Sequence, residues 1–155
     1  MSDVTLREGR GDEGAALARC FRQMWLDVSI PEDGIEDDWQ ERVERFVEHG
    51  RRELGLRFFF AEHEGAIVGS VCVQRFAGLY PDLLKPSVRR YGYLWGVWVE
   101  AARRSRGLGR ALTERGVEAL REDGATHVLL HAAPMGLALY QSLGFTPTNE
   151  LRLCF

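Results

Sequence analysis

The stretch YGYLWGVWVEAARRSRGLGRAL, residues 91–112, changes character half-way along and decides the fold. Its first half, Tyr91–Val99, is rich in aromatic and β-branched residues, which suit a buried strand better than a helix. Gly92 and Gly96 interrupt this run, and a glycine inside a strand usually marks a bulge or a close approach by another group. The sequence therefore predicts a central strand with a local irregularity.

The second half of the stretch is basic and rich in glycine, and a helical pattern follows it at Leu112, Val117 and Leu120. The first turn of a helix leaves backbone N–H groups unpaired, with the positive end of the helix dipole behind them. Small residues at Gly107 and Gly109 would let a diphosphate approach those amides, while the arginines would add countercharge. Taken alone, this spacing is equally typical of a plain strand-to-helix turn with solvated arginines.

Two motifs of the chain resemble motifs of the GNAT superfamily of acyl-CoA N-acyltransferases, and they occur in the same order as in that family. The first is RxxGxG, carried by Arg104, Gly107 and Gly109 directly after the central strand. The second is LYQSLGF at residues 139–145, which is similar to the LYxxLGF segment of the family. Two motifs about 30 residues apart in the expected order are much more specific than either motif alone.

The resemblance implies that acetyl-CoA is the cofactor and that the loop amides hold its pyrophosphate. The central strand is expected to splay at a bulge and to hydrogen-bond the pantetheine arm through Val97 and Val99. A backbone donor near Trp98 or Val99 is expected to stabilise the oxyanion. No metal is implied. The residues expected to bind the cofactor are Val97, Trp98, Val99, Arg104, Ser105, Arg106, Gly107, Leu108, Gly109 and Arg110.

The rest of the chain predicts an α/β fold in one domain, residues 1–155, a length that suits a single core. The pattern predicts a first strand, two helices and a hairpin before the central strand, and a helix, a strand, a short helix and a last strand after it. The resemblance implies a central mixed sheet, mostly antiparallel and splayed at the cofactor site, with helices on both faces. The expected strands besides the central one lie at residues 4–8, 58–61, 66–74, 127–132 and 149–155.

The implied chemistry is direct attack of an amine on the thioester carbonyl, which requires positioning together with a general base and a general acid. Tyr140 matches the family tyrosine of the second motif and is the candidate acid for the departing thiolate. The alternative is that its ring anchors the short helix to the core.

The general base is less well indicated. Many family members carry a glutamate in the middle of the central strand, where this chain has Tyr93 and its apolar neighbours. Tyr93 and Glu100 are the candidates for a base or relay, although the position of Glu100 beside the loop also suits a structural role. A water relay that ends on Tyr93, His131 or Glu150 is the preferred alternative.

The acceptor side is indicated only by the resemblance, because the first two helices of the GNAT fold and the loop between them cover the acceptor. Trp25, Asp27, Ser29 and Glu32 are therefore candidate contacts, as is Tyr80 in the long loop at residues 76–90. The aromatic residues among them suit packing equally well. Ten acids against four arginines in residues 27–53 could favour a cationic acceptor, but a solvated helix face is the commoner explanation.

Composition argues against several other classes of protein. Eight arginines against three glutamates in residues 89–121 suit a polyanionic cofactor, and the overall charge of −3 argues against nucleic acid. The three cysteines lack metal-ligand spacing, which favours core positions over a zinc site or disulfides. No apolar run approaches the roughly 20 residues that span a bilayer, and no signal segment is visible, so a cytoplasmic protein without a membrane partner is expected.

The sequence thus predicts an acetyl-CoA-dependent N-acetyltransferase that acts on a primary amine of a small molecule. Two alternatives stay open: a non-catalytic acyl-CoA-binding module, which the missing strand carboxylate would suit, and acetylation of protein or peptide amines. A hydrolase is disfavoured because no GxSxG motif and no nucleophile with a paired base are present. The predicted last strand could pair across a homodimer.

Overall fold

The computed structural model of the chain describes residues 3–77 and 80–155. Its centre is a five-stranded sheet whose strands lie side by side in chain order. The first four strands are antiparallel, and the fifth runs parallel to the fourth. The mixed, mostly antiparallel sheet predicted from the sequence is confirmed. The strands are β1 (Val4–Glu8), β2 (Arg57–His63), β3 (Ala66–Arg75), β4 (Tyr91–Val99) and β5 (His127–Leu129).

Helices cover both faces of the sheet, and strand alternation assigns the core side chains to one face or the other. On β2, Phe58 and Phe60 pack with the first two helices, whereas Phe59 belongs to the cluster of the third helix. All three phenylalanines are almost completely buried. The helices are α1 (Gly14–Asp27), α2 (Trp39–Glu53), α3 (Leu108–Glu122) and α4 (Leu137–Ser142), with single 3₁₀ turns at Glu32–Gly34, Ala101–Arg103 and Pro134–Gly136.

Helix α3 lies close to the sheet because a glycine faces the strands. A Cβ atom on Gly116 would come within 3.0 Å of Leu94 and 3.1 Å of Val73, which is tighter than most real contacts. On the strand side, Gly92 faces Leu120 of α3 in the same way. This close packing sets where α3 begins, directly beyond the end of β4.

The predicted irregularity of the central strand is a bulge. Gly96 and Val97 of β4 together lie opposite the single residue Val71 of β3, and Gly96 has a φ of 64°. On the other side, β4 pairs with β5 only as far as Tyr93 and Leu129. Beyond that point no strand of the described chain lies along this edge of β4, so the sheet is splayed there.

Several strands differ from the sequence-based predictions. The prediction of a last strand at residues 149–155 is wrong. The segment has no regular structure, and Leu151 is 95% exposed. Alternation of apolar residues indicates a strand only when a neighbouring strand is available, and β5 is just three residues long. The homodimer through that strand therefore stays a prediction. Strand β2 covers residues 57–63 rather than 58–61, and β5 ends at Leu129 rather than at residue 132.

The loop between β3 and β4 was predicted without regular structure, and residues 80–90 contain only turns and bends. Residues 78 and 79 of this predicted loop lie outside the described residues. Within the described ranges, no helix has the length and apolar character needed to cross a membrane.

Arg7 joins three elements at the start of the fold. Its guanidinium donates to Glu13 at 2.8 and 2.9 Å and to Glu62 of β2 at 2.7 Å. Glu13 also accepts a hydrogen bond of 2.8 Å from the backbone N–H of Arg10. The hydrogen bonds from Arg7 are the main reason that the pKa of Glu13 falls to about 2.

We predict that Glu13→Gln lowers the free energy of unfolding by about 1–2 kcal/mol at pH 7. A carboxylate with a depressed folded-state pKa stabilises the fold above its unfolded pKa, and this contribution is lost as the pH falls through the folded value. The difference between the variant and wild type should therefore shrink from about pH 4.5 towards pH 2. Urea unfolding at pH 7 and pH 3 measures it, with the exposed Glu41→Gln as control. An equal loss at both pH values would contradict the assignment.

Candidate active site

The basic loop after β4 turns the chain from strand to helix within a few residues. After the 3₁₀ turn Ala101–Arg103, Ser105 and Gly107 have positive φ angles of 61° and 82°. The left-handed conformation is readily accessible to glycine but strained for most other residues, which explains a glycine at the N-cap of α3. The sequence pattern of arginines and glycines thus corresponds to a sharp turn that ends on the first amide groups of α3.

These first amides suit an anion. The first turn of α3 contains no acidic residue, and no side chain of the described residues caps it. Leu108 is buried and anchors the turn, while Ser105, Arg106 and Gly107 are exposed around it. Unpaired N–H groups, the positive end of the helix dipole and nearby arginines are the features that bind phosphate groups. The loop therefore fits a diphosphate.

Arg104, expected at the diphosphate, turns towards the end of α1. Its Nε donates to the carbonyl of Val99 at 2.9 Å, and its Nη2 pairs with the carboxylate of Asp27. The same carboxylate oxygen accepts a hydrogen bond of 3.0 Å from the indole of Trp98. Burial alone would raise the pKa of Asp27, but hydrogen bonds from Gln23 and Trp98 and the charge of Arg104 lower it below its usual value. Asp27, expected to contact the acceptor, thus ties α1 to the loop.

Arg110, at the start of α3, also has partners within the chain. Its Nη2 donates to the hydroxyl of Ser142 on α4 at 2.7 Å, and its Nη1 lies 3.4 Å from Glu114. A Cβ atom on Gly109 would lie 3.4 Å from Leu139 of α4. The two family-like motifs, distant in sequence, therefore meet where α3 begins.

The splayed edge of β4 presents backbone groups to the gap beyond β5. The N–H of Glu100 donates to Val68 on β3 at 2.9 Å. Because N–H and C=O groups point to alternate sides along a strand, those of Val99 and Val97 point away from β3. An extended ligand could pair with this edge as an added strand does. The carbonyl of Val99 is already bonded to Arg104, which leaves its N–H and the groups of Val97.

Tyr93, His131 and Glu150 form a hydrogen-bonded chain where β4 and β5 separate. The Tyr93 hydroxyl lies 2.8 Å from Nδ1 of His131, and Nε2 of His131 pairs with the carboxylate of Glu150. Burial, together with the negative charge of Glu150, raises the pKa of Tyr93. The structure thus joins three residues that the sequence could name only separately.

Glu100, the other candidate base, lies elsewhere. It is exposed at the end of β4, and its carboxylate is 3.3 Å from Nε of Arg103. Six residues of strand lie between it and Tyr93, a distance of roughly 20 Å along the chain. His63 is 2.9 Å from the guanidinium of Arg103 and supports the same loop.

Tyr140 lies on α4, the helix whose Leu139 and Ser142 meet the first turn of α3. Its ring is edge-on to Phe145 at a centroid distance of 6.0 Å, and its side chain is partly buried. Burial raises the pKa of Tyr140. The phenol therefore keeps its proton throughout the neutral pH range.

The remaining acceptor candidates occupy two separate places. Trp25, Ser29 and Glu32 lie at or just beyond the end of α1, and Glu32 is 3.6 Å from the guanidinium of Arg22. Tyr80 instead lies near the start of β4, beneath the guanidinium of Arg89. The structure does not bring these two sets into one pocket. Among residues 3–77 and 80–155, no group of three or more His, Cys, Asp or Glu side chains is placed to hold a metal ion.

Comparison with known proteins identifies the family. The model of the acetyltransferase (GNAT) family matches residues 16–145. The chain belongs to the GNAT family. Enzymes of this family use acetyl-CoA, which agrees with the diphosphate fit of the loop before α3.

Similar GNAT proteins are known both by sequence and by structure. N-acetyltransferase 8 of Rattus norvegicus is 32% identical over 101 residues, which are 63% of this chain and 43% of that protein. The chain thus spans less than half the length of this curated relative.

Two solved structures show the same fold over nearly the whole chain. A predicted acetyltransferase from Clostridium acetobutylicum, solved with acetyl-CoA, has a TM-score of 0.83 and 20% identity and covers 98% of this chain and 96% of its own. A GCN5-related N-acetyltransferase from Ralstonia eutropha has a TM-score of 0.79 and 22% identity, with 98% of both chains covered. At these identities the likeness concerns the fold.

We predict that Asp27→Asn loosens the junction between α1 and the loop of this GNAT protein. Arg104 would lose its carboxylate partner, so the free energy of unfolding should fall by about 1–2 kcal/mol. The indole N–H resonance of Trp98 should also move, while that of Trp39 stays in place. Urea unfolding and an amide–indole correlation spectrum measure both effects, with the exposed Asp37→Asn as control. A stable variant with an unmoved Trp98 resonance would show that the contact contributes nothing.

Proposed function

We propose that the chain is an acetyl-CoA-dependent N-acetyltransferase that acetylates the primary amine of a small molecule. One observation carries this proposal: the splayed edge of β4 runs from the uncapped first turn of α3 to the chain Tyr93, His131 and Glu150. A diphosphate-binding end and a proton-accepting end thus lie along one gap in the sheet. Family membership supports the acetyl-transfer chemistry.

The loop and the strand edge would hold acetyl-CoA. The amides of Leu108 and Gly109 would bind the pyrophosphate, with Arg106 as countercharge, and Val97 and Val99 would bind the pantetheine arm. When bound, acetyl-CoA supplies an activated thioester, so the protein has mainly to position the amine and to move protons. Backbone N–H groups near Trp98 or Val99 would stabilise the oxyanion.

The proposed base is His131, reached through Tyr93. Because the pKa of Tyr93 is raised, its hydroxyl is protonated at neutral pH and passes a proton on rather than acting as the base itself. The Tyr93 hydroxyl gives its own proton to Nδ1 of His131, 2.8 Å away, as its oxygen takes the proton that leaves the acceptor ammonium. The carboxylate of Glu150 orients the ring and stabilises the imidazolium that results. Glu100 would then serve the loop rather than the proton transfer.

Tyr140 is the proposed general acid. Its helix, α4, meets the first turn of α3, which is the end of the gap proposed to bind the cofactor. The raised pKa means that its proton is present whenever the thiolate departs. Tyr93 would thus serve the transfer of the ammonium proton, and Tyr140 would serve the protonation of the thiolate.

We predict that Gly107→Ala weakens acetyl-CoA binding at least about 10-fold, because a Cβ is strained at a φ of 82° and crowds the amides that face the diphosphate. Gly124→Ala is the matched control: Gly124 has the same φ of 82° at the other end of α3 and open space around it. Both variants should lose about 1–2 kcal/mol of stability, but only the first should lose affinity. Isothermal titration calorimetry measures the binding. Absence of wild-type binding would overturn the proposed function.

An amine screen that detects free coenzyme A then tests the transfer itself. Faster turnover of small amines than of peptides would support a small-molecule amine as the acceptor. Turnover confined to peptide or protein amines would instead assign the chain to the protein acetyltransferases. Binding of acetyl-CoA with no turnover on any amine would indicate a non-catalytic binding module.

We predict that Tyr93→Phe and His131→Gln each lower kcat by about 100-fold, and that the double variant loses no more than the worse single variant. Two members of one relay fail together, so their effects are not additive. Tyr93→Phe combined with Tyr140→Phe is the matched comparison, and its losses should multiply because the two tyrosines serve different proton transfers. Acetyl-CoA affinity should stay unchanged in all variants. Multiplying losses for Tyr93 and His131 would disprove the relay.

A further inference from the structure

Apart from the gap described above, a pocket lies at the end of β4 that is remote from the Gly107 loop. Its volume is about 80 Å³, and the end of β3, the long loop and the start of β4 enclose it. Its charged lining consists of three arginines, Arg75, Arg89 and Arg90, and one acid, Asp82. The sequence does not predict this pocket, because the three arginines come together only in the fold.

The three arginines of this pocket have no ion-pair partner within the described residues. No ion pair in residues 3–77 and 80–155 includes Arg75, Arg89 or Arg90, whereas Arg57 alone pairs with Glu8, Glu122 and Asp123. With Asp82 counted, the lining carries a net charge of +2. The guanidinium of Arg75 donates one hydrogen bond, at 3.4 Å, to the backbone carbonyl of Glu53. Neighbouring arginines without carboxylate partners are the groups that proteins use to bind carboxylates and phosphates.

Arg89 is held in place without using its donors. Its guanidinium lies over the ring of Tyr91 at 4.8 Å and over that of Tyr80 at 5.4 Å. Stacking uses the flat face of the guanidinium and leaves the N–H groups at its edge free. The group is therefore positioned before any ligand arrives, which lowers the entropy cost of binding.

The pocket adjoins the proposed proton relay. Tyr91 and Tyr93 lie on the same face of β4, about 7 Å apart along the strand. Phe76, which also lines the pocket, packs on the ring of Tyr93 at a centroid distance of 5.4 Å. A ligand with one end in the pocket would thus have its other end near the Tyr93 hydroxyl.

We propose that Arg75, Arg89 and Arg90 bind an anionic group of the acceptor, so that the acceptor is an amine with a carboxylate or phosphate a few bonds from its nitrogen. The amine half of this inference rests on the proposed acetyltransferase function. A pocket of about 80 Å³ has room for one such group.

This inference reverses the cationic acceptor suggested by the acidic segment at residues 27–53. Acids of that segment have arginine partners: Asp27 pairs with Arg104, and Asp38 pairs with Arg42 and Arg45. Within the described residues, five of the ten acids pair with arginines: Asp27, Glu32, Glu36, Asp38 and Glu53. The uncompensated charge beside the relay is positive.

The first test uses inorganic phosphate and acetate as probes, titrated into the isotope-labelled full chain at constant ionic strength. The arginine Nε–Hε resonances are recorded and assigned with the variants Arg75→Gln, Arg89→Gln and Arg90→Gln. These three resonances should shift along saturating curves, whereas that of the exposed Arg19 on α1 should shift without saturation. The tighter of the two probes shows whether phosphate or carboxylate is preferred. Non-saturating shifts of all four arginines would overturn the inference.

The second test compares amines that differ only in charge: O-phosphoethanolamine with ethanolamine, and β-alanine with its amide. Their dissociation constants in the presence of coenzyme A, and kcat/KM where turnover occurs, should favour the anionic member by at least about 10-fold. Arg89→Gln combined with Arg90→Gln should reduce this preference to about 2-fold, whereas Arg19→Gln should leave it unchanged. Equal affinity for charged and neutral members would overturn the inference.

The failure of this inference and that of the proposed function are distinguishable. Acetyl-CoA binding with no preference for anionic amines would disprove the anion pocket but would not contradict the proposed acetyltransferase function. No acetyl-CoA binding by the wild type would remove the proposed function, while the arginine titration would still decide whether the pocket binds anions. Unchanged acetyl-CoA affinity of the double arginine variant confirms that it is folded.

Discussion

The early end of the pairing between β4 and β5 is the constraint on which the rest of this structure depends. The two strands share only three residue pairs before they separate at Tyr93 and Leu129. The bulge at Gly96 lies just beyond this point and turns the outer half of β4. Backbone N–H and C=O groups along an open strand edge require partners, so the gap favours an extended ligand that completes the sheet.

The packing of α3 fixes both ends of that gap. Gly116 lets the helix lie close against β3 and β4, and this places its uncapped first turn directly beyond Val99. Arg104 then joins the loop to α1 through Asp27. A diphosphate site made of backbone amides depends on this kind of support, because its affinity comes from the direction of N–H groups that the loop alone could not hold.

Charge is organised by position along β4 rather than by net composition. The chain carries a net charge of −3, yet both ends of β4 are basic. At one end Arg106 and the first turn of α3 suit the pyrophosphate, and at the other the pocket beside Tyr91 suits a second anion. Tyr93, whose pKa is raised, lies on β4 between them, and Tyr140, whose pKa is also raised, lies on α4. An anionic cofactor and an anionic acceptor would thus be held apart, with Tyr93 between them.

The sequence by itself determined the features that depend on neighbouring residues. The aromatic strand Tyr91–Val99, the turn at Gly107 and the amphipathic α3 each follow from local propensity and periodicity, and two short motifs were sufficient to indicate the family. Only the tertiary structure decided which distant side chains meet. His131 and Glu150 form a hydrogen-bonded chain with Tyr93, Arg104 pairs with Asp27, and the arginines at 75, 89 and 90 line one pocket. The predicted last strand failed for the same reason: a strand needs a partner edge, and partnership between residues far apart in sequence is a property of packing rather than of local pattern.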